Sequence, residues 1–179
     1  MRKLIVSNHV TLDGRIDDVL DWSIPGDDED FVKRNIDLLA NSDGLILGRR
    51  SYEFFAAVWP SRSGEFAELM NGIAKYVASR TLEHPEWQNT KLIEGDVAKA
   101  VADLKEQPGK GLVVYASGDL TNTLMGHDLV EEYRLWVHPV VLGRGSRFFE
   151  DGAERMDLEL IDSTAIASGV AILTYRPGR

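Results

Sequence analysis

The stretch Gly44-Leu45-Ile46-Leu47-Gly48-Arg49-Arg50-Ser51 passes from a short apolar strand through a glycine and two arginines, and Tyr52 to Val58 then reads as a helix stopped at Pro60. A strand that turns directly into a helix is the unit of a parallel sheet, so this segment sets the expectation for the fold.

The same unit recurs on both sides. Upstream, Leu4 to Val10 reads as a buried strand, followed by a long polar loop from Thr11 to Asp30 with turns at Asp13-Gly14 and Pro25-Gly26. Trp22 and Ile24 inside that loop mark it for packing or for covering a ligand. From Asp28, the spacing of Phe31, Val32, Asn35, Leu38 and Leu39 predicts a helix ending near Asn41. Downstream, Glu65 to Asn71 reads as a short helix, and Lys75 to Ser79 and Lys91 to Ile93 as strands. Asp96 caps a helix with the stripe Val97, Ala100, Val101 and Leu104, ended by Pro108-Gly109. Leu112 to Tyr115 is another strand leading through Ala116-Ser117-Gly118-Asp119 into a helix with Leu120, Leu124 and Met125.

The end of the chain changes character. Tyr133, Leu135 and Val137 alternate with Arg134, Trp136 and His138, and Leu158 to Ser163 pairs with Val170 to Tyr175 through a turn at Ser168-Gly169. Alternating strands and helices followed by a β-rich end predict a three-layer α/β/α fold. Its central sheet is mostly parallel, with an antiparallel C-terminal edge. At 179 residues, with no internal repeat or linker, one domain over residues 1–179 is expected.

Composition narrows the function. Twenty basic against 29 acidic residues give a net charge of −9, which disfavours nucleic acid and anionic membranes as partners. The absence of cysteine removes thiol catalysis and iron–sulfur ligation by this chain, and fits a reducing compartment. Met1-Arg2-Lys3 precedes an apolar run too short for a signal peptide, so the expected location is cytoplasmic.

Ligands of such sheets lie beyond the C-terminal ends of the strands, and three strand ends carry suitable residues. Gly48, Arg49, Arg50 and Ser51 combine close backbone approach with cationic and hydroxyl donors. Ser79 and Arg80 supply a second hydroxyl–guanidinium set. Ser117, Gly118 and Asp119 form a third turn, which helix capping explains equally well. Gly143-Arg144-Gly145 lacks the third glycine of a dinucleotide fingerprint. The four histidines show no zinc-ligand spacing, and His9 and His138 read as strand residues satisfied locally. Asp27 to Asp30 suit a helix start, although one acid beside Trp22 in an apolar cleft is a candidate proton donor.

DGLILGRRSYE at Asp43 to Glu53, followed by KYVASRTL, YASGDL and DLVEEYRLWVHPVVLGRGSRFF and preceded by TLDGRI, resembles the dihydrofolate-reductase-like family typified by the C-terminal reductase domain of the riboflavin-biosynthesis protein RibD. The resemblance spans nearly the whole chain. It implies a dihydrofolate-reductase-like fold, NADPH as cofactor across the strand ends, and a homodimer. It also implies reduction of a small heterocyclic or imine-containing substrate: a pterin, a pyrimidine, or a riboflavin precursor such as 5-amino-6-(5-phosphoribosylamino)uracil. By motif, Gly48, Arg49, Arg50 and Ser51 would face the adenosine side and phosphates, and Ser79 and Arg80 the 2′-phosphate. Ser117, Gly118, Asp119 and Leu120 would face the pyrophosphate, and Thr11, Asp13, Gly14 and Trp22 would line the nicotinamide and substrate side.

The run Trp22-Ser23-Ile24-Pro25-Gly26-Asp27 is similar to the acid segment of true dihydrofolate reductases, which makes Asp27 the candidate catalytic acid. The alternatives are a nucleotide-binding protein of this fold without turnover and a true dihydrofolate reductase. No metal is expected. The dimer interface is expected on the late strands, Tyr133 to Val141 and Val170 to Tyr175.

Overall fold

The computed structural model describes residues 1–23 and 29–178. Its strands are β1 (Leu4–Thr11), β2 (Ser42–Gly48), β3 (Ala74–Ala78), β4 (Thr90–Ile93), β5 (Gly111–Tyr115), β6 (Glu132–His138), β7 (Leu158–Ala165) and β8 (Ala171–Pro177). They form one eight-stranded sheet in the order β4-β3-β2-β5-β1-β6-β8-β7. The first six strands are parallel, whereas β8 runs antiparallel to both β6 and β7.

The helices are α1 (Val19–Trp22), α2 (Glu29–Ala40), α3 (Arg49–Val58), α4 (Glu65–Gly72), α5 (Val97–Glu106) and α6 (Gly118–Met125). Successive side chains of a strand point to opposite faces, and this period sorts the core into two layers. Leu45, Leu47, Val113 and Tyr115 pack with Leu38 and Leu39 of α2, Tyr52 of α3 and Met70 of α4. Ile46, Leu112 and Val114, the residues between them, pack with Val101 and Leu104 of α5 and Leu120 and Leu124 of α6. The result is the three-layer architecture expected from the sequence. Asp96 caps α5 as anticipated, its Oδ1 accepting the Lys99 N–H at 3.0 Å.

Three expectations are refined. Helix α3 starts at Arg49, because Gly48 remains extended and Arg49 already carries helical backbone. The segment read as continuous loop after Thr11 contains the single turn α1 and a bridge from Arg15 to Arg147. Asp18, in the left-handed region at φ 52°, turns the chain there, and the indole Nε1 of Trp22 donates to the Asp17 carbonyl at 2.6 Å. The apolar side chains of the late strands are largely buried by the chain itself. Trp136 and Ile172 pack with Ile166, Val170 and Phe31, and Tyr133 joins the α5/α6 core. Leu160 and Ile161 of β7 are the apolar side chains of this strand pair left exposed. Ile24, the Pro25-Gly26 turn, Asp27 and the Asp28 helix start lie outside the described residues.

Candidate active site

Because β3, β2 and β5 are neighbours, their C-terminal ends bring the three turns singled out in the sequence side by side. A chain of hydrogen bonds locks two of them together. The Gly48 N–H donates to Ser117 Oγ at 2.9 Å, Ser117 Oγ lies 2.9 Å from Ser51 Oγ, and Ser51 Oγ donates to the Ala116 carbonyl at 2.6 Å. Ser51 and Ser117 are buried, so their hydroxyls hold the turns in place and do not reach outward. A Cβ on Gly48 would stand 3.1 Å from Ser117 Oγ, and one on Gly118 would stand 2.7 Å from Ile16 Cδ1. Glycine at both positions therefore lets the loop after β1 and the turn after β2 close onto the start of α6.

What remains for a ligand is the outer rim. Arg49 pairs with Glu53 at 2.7 Å and donates to Thr81 Oγ1, which ties the β2 turn to the β3 turn. Ser79 Oγ accepts the Thr81 and Leu82 N–H groups at 3.2 and 3.0 Å. Arg50 and Arg80 are exposed. Beyond the ends of β3 and β4 lies a cleft of about 390 Å³ lined by Ala78, Ser79, Arg80, Leu92, Ile93 and Glu94, and closed by Gly95 and Val97. Asp119 is exposed in the first turn of α6, whose N–H groups lack intrahelical acceptors, while the Leu120 side chain points into the core. Leu120 can therefore meet a ligand through its backbone alone.

The Leu92 to Val97 wall was missed in the sequence. The available signal was another strand ending at a glycine before a capped helix, the pattern of the other strand ends.

The second half of the site lies beyond β1 and β6. Thr11 Oγ1 donates to Asp13 Oδ1 at 2.6 Å and accepts the Arg15 N–H at 2.8 Å. Asp13 also accepts the N–H groups of Gly143 at 2.8 Å and Leu142 at 3.2 Å. The Thr11 hydroxyl and these amides hold the carboxyl well below the usual carboxylate range, so it is an ionised loop clasp and a poor proton donor. Gly14, at φ 76°, accepts the Phe148 N–H at 2.9 Å, and this bond secures the same clasp. The structure thus brings Thr11, Asp13 and Gly14 together as the fastening between the first loop and residues 142–148.

Trp22 stands apart from the clasp, edge-on to the His138 ring with centroids 5.3 Å apart. His9 Nδ1 lies 2.8 Å from His138 Nε2, which is the local satisfaction expected of these histidines. Phe31 of α2 and Trp136 stand 5.5 and 5.6 Å from the His9 ring. Burial, together with the neighbouring His138 ring, pulls His9 down to about 3, and burial also lowers His138. Both rings are neutral at physiological pH. Among the described residues no group of acidic and histidine side chains could hold a metal ion.

The family profile of the RibD C-terminal domain matches residues 2–172. The chain belongs to the RibD C-terminal domain family. This family is associated with the reductase of riboflavin biosynthesis. The chain is similar to the uncharacterized protein YyaP of Bacillus subtilis strain 168, at 32% identity over 97% of this chain and 94% of that protein. A putative riboflavin biosynthesis protein from Shewanella sp. PV-4 superposes with a TM-score of 0.76 at 22% identity, covering both chains fully. The Thermotoga maritima diaminohydroxyphosphoribosylaminopyrimidine deaminase/5-amino-6-(5-phosphoribosylamino)uracil reductase gives a TM-score of 0.69 at 12% identity. It covers 99% of this chain and 57% of that one. These superpositions establish a shared dihydrofolate-reductase-like fold, in which the RibD C-terminal sheet carries its antiparallel edge as β8 and β7 here.

Proposed function

We propose that this RibD C-terminal family member is an NADPH-dependent reductase acting as one domain over residues 1–179. In this reading hydride passes to a small heterocyclic or imine-containing substrate of pterin, pyrimidine or riboflavin-precursor type. The observation that carries the reading is the row of three interlocked turns beyond β3, β2 and β5, with the cleft at Ser79 and Arg80 at one end of the row. Their chemistry fits a dinucleotide phosphate: glycine at points of close approach, α6 N–H groups for a pyrophosphate, and Arg49, Arg50 and Arg80 as cations in a chain of net charge −9.

When bound there, the nicotinamide supplies hydride, and the chain orients the two reactants and keeps water from between them. The β1/β6 half, with Trp22 and the histidine pair, lies beside the cofactor half across the same sheet and is assigned to the substrate. Asp27, outside the described residues, stays the proposed proton donor.

Among the described residues no helix is long and apolar enough to cross a membrane, and the enzyme is proposed to be a cytoplasmic homodimer. Calorimetry with NADPH, followed by NADPH oxidation across pterins, pyrimidines and flavin precursors, tests the function. Binding with turnover supports it. Absence of NADPH binding overturns it, and tight binding without turnover on every compound identifies a nucleotide-binding protein instead.

A further inference from the structure

We propose that Lys75 is a positioning residue for the cleft beyond β3 and β4. Its buried ammonium clamps Trp87 at the opposite end of these two strands, and the clamp fixes β4, which leads to Glu94, against β3, which leads to Arg80. The effect on cofactor rests on the NADPH reading, whereas the clamp rests on contacts within the chain. Lys75 is wholly buried, and among the described residues it pairs with no carboxylate. Its Nζ donates to the Asn71 carbonyl at 2.8 Å and to the Gln88 carbonyl at 3.1 Å, and it stands 4.1 Å from the centroid of the Trp87 ring. Asn71 lies in the last turn of α4, so the ammonium meets the negative end of a helix dipole and the negative face of an indole. A buried charge without a counterion is costly, and burial pulls Lys75 down to about 8, which leaves it charged at neutral pH. An apolar side chain would fill the same space without that cost. What the ammonium adds is its hold on Trp87 and Gln88.

Trp87 is buried too, and three elements grip it. Its Nε1 donates to Asn71 Oδ1 at 2.8 Å, and its backbone N–H donates to the Tyr52 hydroxyl of α3 at 3.0 Å. The Lys75 N–H donates to the Asn89 carbonyl at 2.8 Å, and the Thr90 hydroxyl donates to the Trp87 carbonyl at 2.6 Å. The chain therefore enters β4 straight from the clamp. Before it, Glu83 to Glu86 make no hydrogen bond or ion pair among the described residues. β4 has four residues and lies at the edge of the sheet against β3, with Lys75 opposite Thr90 and Ala78 opposite Ile93. A strand so short frays unless its entry is held.

At the other end of the same two strands, Arg80 and Glu94 face one cleft. Lys75 lies four residues before Ser79, about 13 Å along the strand and beyond a Debye length at physiological salt. Its charge therefore reaches the cleft through the alignment of β3 and β4 and not directly. A 2′-phosphate requires the guanidinium in hydrogen-bonding geometry and the carboxylate held back, so a displaced β4 costs NADPH more than NADH.

The test uses the full chain and three variants. Lys75→Met keeps the length of the side chain without its charge or donors, Trp87→Phe keeps a ring without the indole N–H, and Lys33→Met removes one exposed lysine of α2 as a control. Hydrogen exchange is read at the amides of Thr90 to Ile93, and calorimetry gives the affinities for NADPH and NADH. Lys75→Met is expected to speed exchange in β4 by at least about tenfold while β1 and β5 keep the parent rates. It is also expected to lower the ratio of NADPH to NADH affinity by at least about fivefold. Trp87→Phe should move both readouts in the same direction, and Lys33→Met neither. A lysine that served overall stability alone would speed exchange throughout the sheet and weaken both cofactors together, which overturns the proposal. So does a change in β4 exchange of less than about twofold in Lys75→Met, or an affinity ratio within about twofold of the parent's. If Lys75→Met does not fold, Trp87→Phe is held to the same limits. Absence of NADPH binding by the parent chain defeats the NADPH reading alone, and β4 exchange then decides on the clamp.

Discussion

Ser51 Oγ lies 2.9 Å from Ser117 Oγ, and through this one contact the turns opening α3 and α6 become a single rigid rim. Removing the Ser117 hydroxyl leaves the Gly48 N–H without its acceptor and Ser51 Oγ with only the Ala116 carbonyl, in a buried setting where an unpaired polar group is costly. Ser117→Ala is therefore expected to lower folding stability by about 1–3 kcal/mol, read from urea denaturation. It should also weaken NADPH through misplacement of the rim. A variant as stable as the parent would show that the chain of hydroxyls is not what holds the turns.

The cleft beyond β3 and β4 places Arg80 and Glu94 in the same wall. A 2′-phosphate rewards the guanidinium and is repelled by the carboxylate, whereas a bare ribose hydroxyl is a partner for the carboxylate. Arg80→Ala should weaken NADPH by about 10- to 100-fold and leave NADH within about twofold. Glu94→Gln should strengthen NADPH by a few-fold, by removing a like charge. Calorimetry with both cofactors checks this, and equal losses for NADPH and NADH in Arg80→Ala would reassign Arg80 to the shared part of the dinucleotide.

Much of this was legible beforehand, because local patterns carried it. All eight strands were readable as apolar or alternating runs, and the Asp96 cap and the Pro108-Gly109 stop followed from residue chemistry. Turns after strands pointed to the three strand ends that the sheet order brings side by side. The partners of the side chains were not legible, since they come from elements far apart in sequence. Ser51 and Ser117 read as ligand donors but spend their hydroxyls on each other, and Asp13 spends its carboxylate on Leu142 and Gly143. His9 and His138 are 129 residues apart, and only the parallel register of β1 and β6 brings them together. Helix α1, a single turn, is too short to show a periodicity.

Among the described residues, the large apolar side chains left exposed on a strand are Leu160 and Ile161, and the proposed homodimer is assigned to them. Leu160 and Ile161 on the edge strand β7 are 49% and 44% exposed, while the apolar residues of β6 and β8 are already largely covered. Light scattering at micromolar concentration is expected to give twice the 20.0 kDa chain mass, and Leu160→Lys to shift that value toward the monomer. A monomer mass for the unaltered chain would rule the dimer out, and an unmoved dimer in Leu160→Lys would place its interface elsewhere.

Asp13 offers a pH test of the loop clasp. Its folded-state carboxyl titrates below its ordinary value of 3.8, mainly because of the Thr11 hydroxyl and then the Gly143 N–H. A depressed carboxyl contributes stability that is fully present above the unfolded value and is lost as pH falls toward the folded one. Asp13→Asn should therefore melt lower than the parent by a constant margin from pH 7 to 5, and the margin should narrow below about pH 4. A margin independent of pH down to 3 would mean that charge plays no part in the clasp.

The histidine pair loses stability in the same direction but at higher pH. His9 binds a proton at about 3 in the folded chain, against 6.5 for the free ring, and His138 is lowered as well. Below pH 6.5 the unfolded chain therefore takes up protons that the folded chain refuses, and stability falls as pH falls. His9 contributes a slope of about 1.4 kcal/mol per pH unit, or about 2 kcal/mol between pH 6.5 and 5, and His138 adds to it in the same direction. That window lies above the range where carboxylates dominate acid unfolding. Urea midpoints at intervals from pH 7 to 5 should show this loss, and His9→Phe should reduce it, because the proton linked to His9 is gone. The direction separates the arrangement from its rival: a pair stabilised as an imidazolium by a nearby carboxylate would grow more stable on acidification over the same window. A flat or rising profile would mean that one ring is charged in the folded chain.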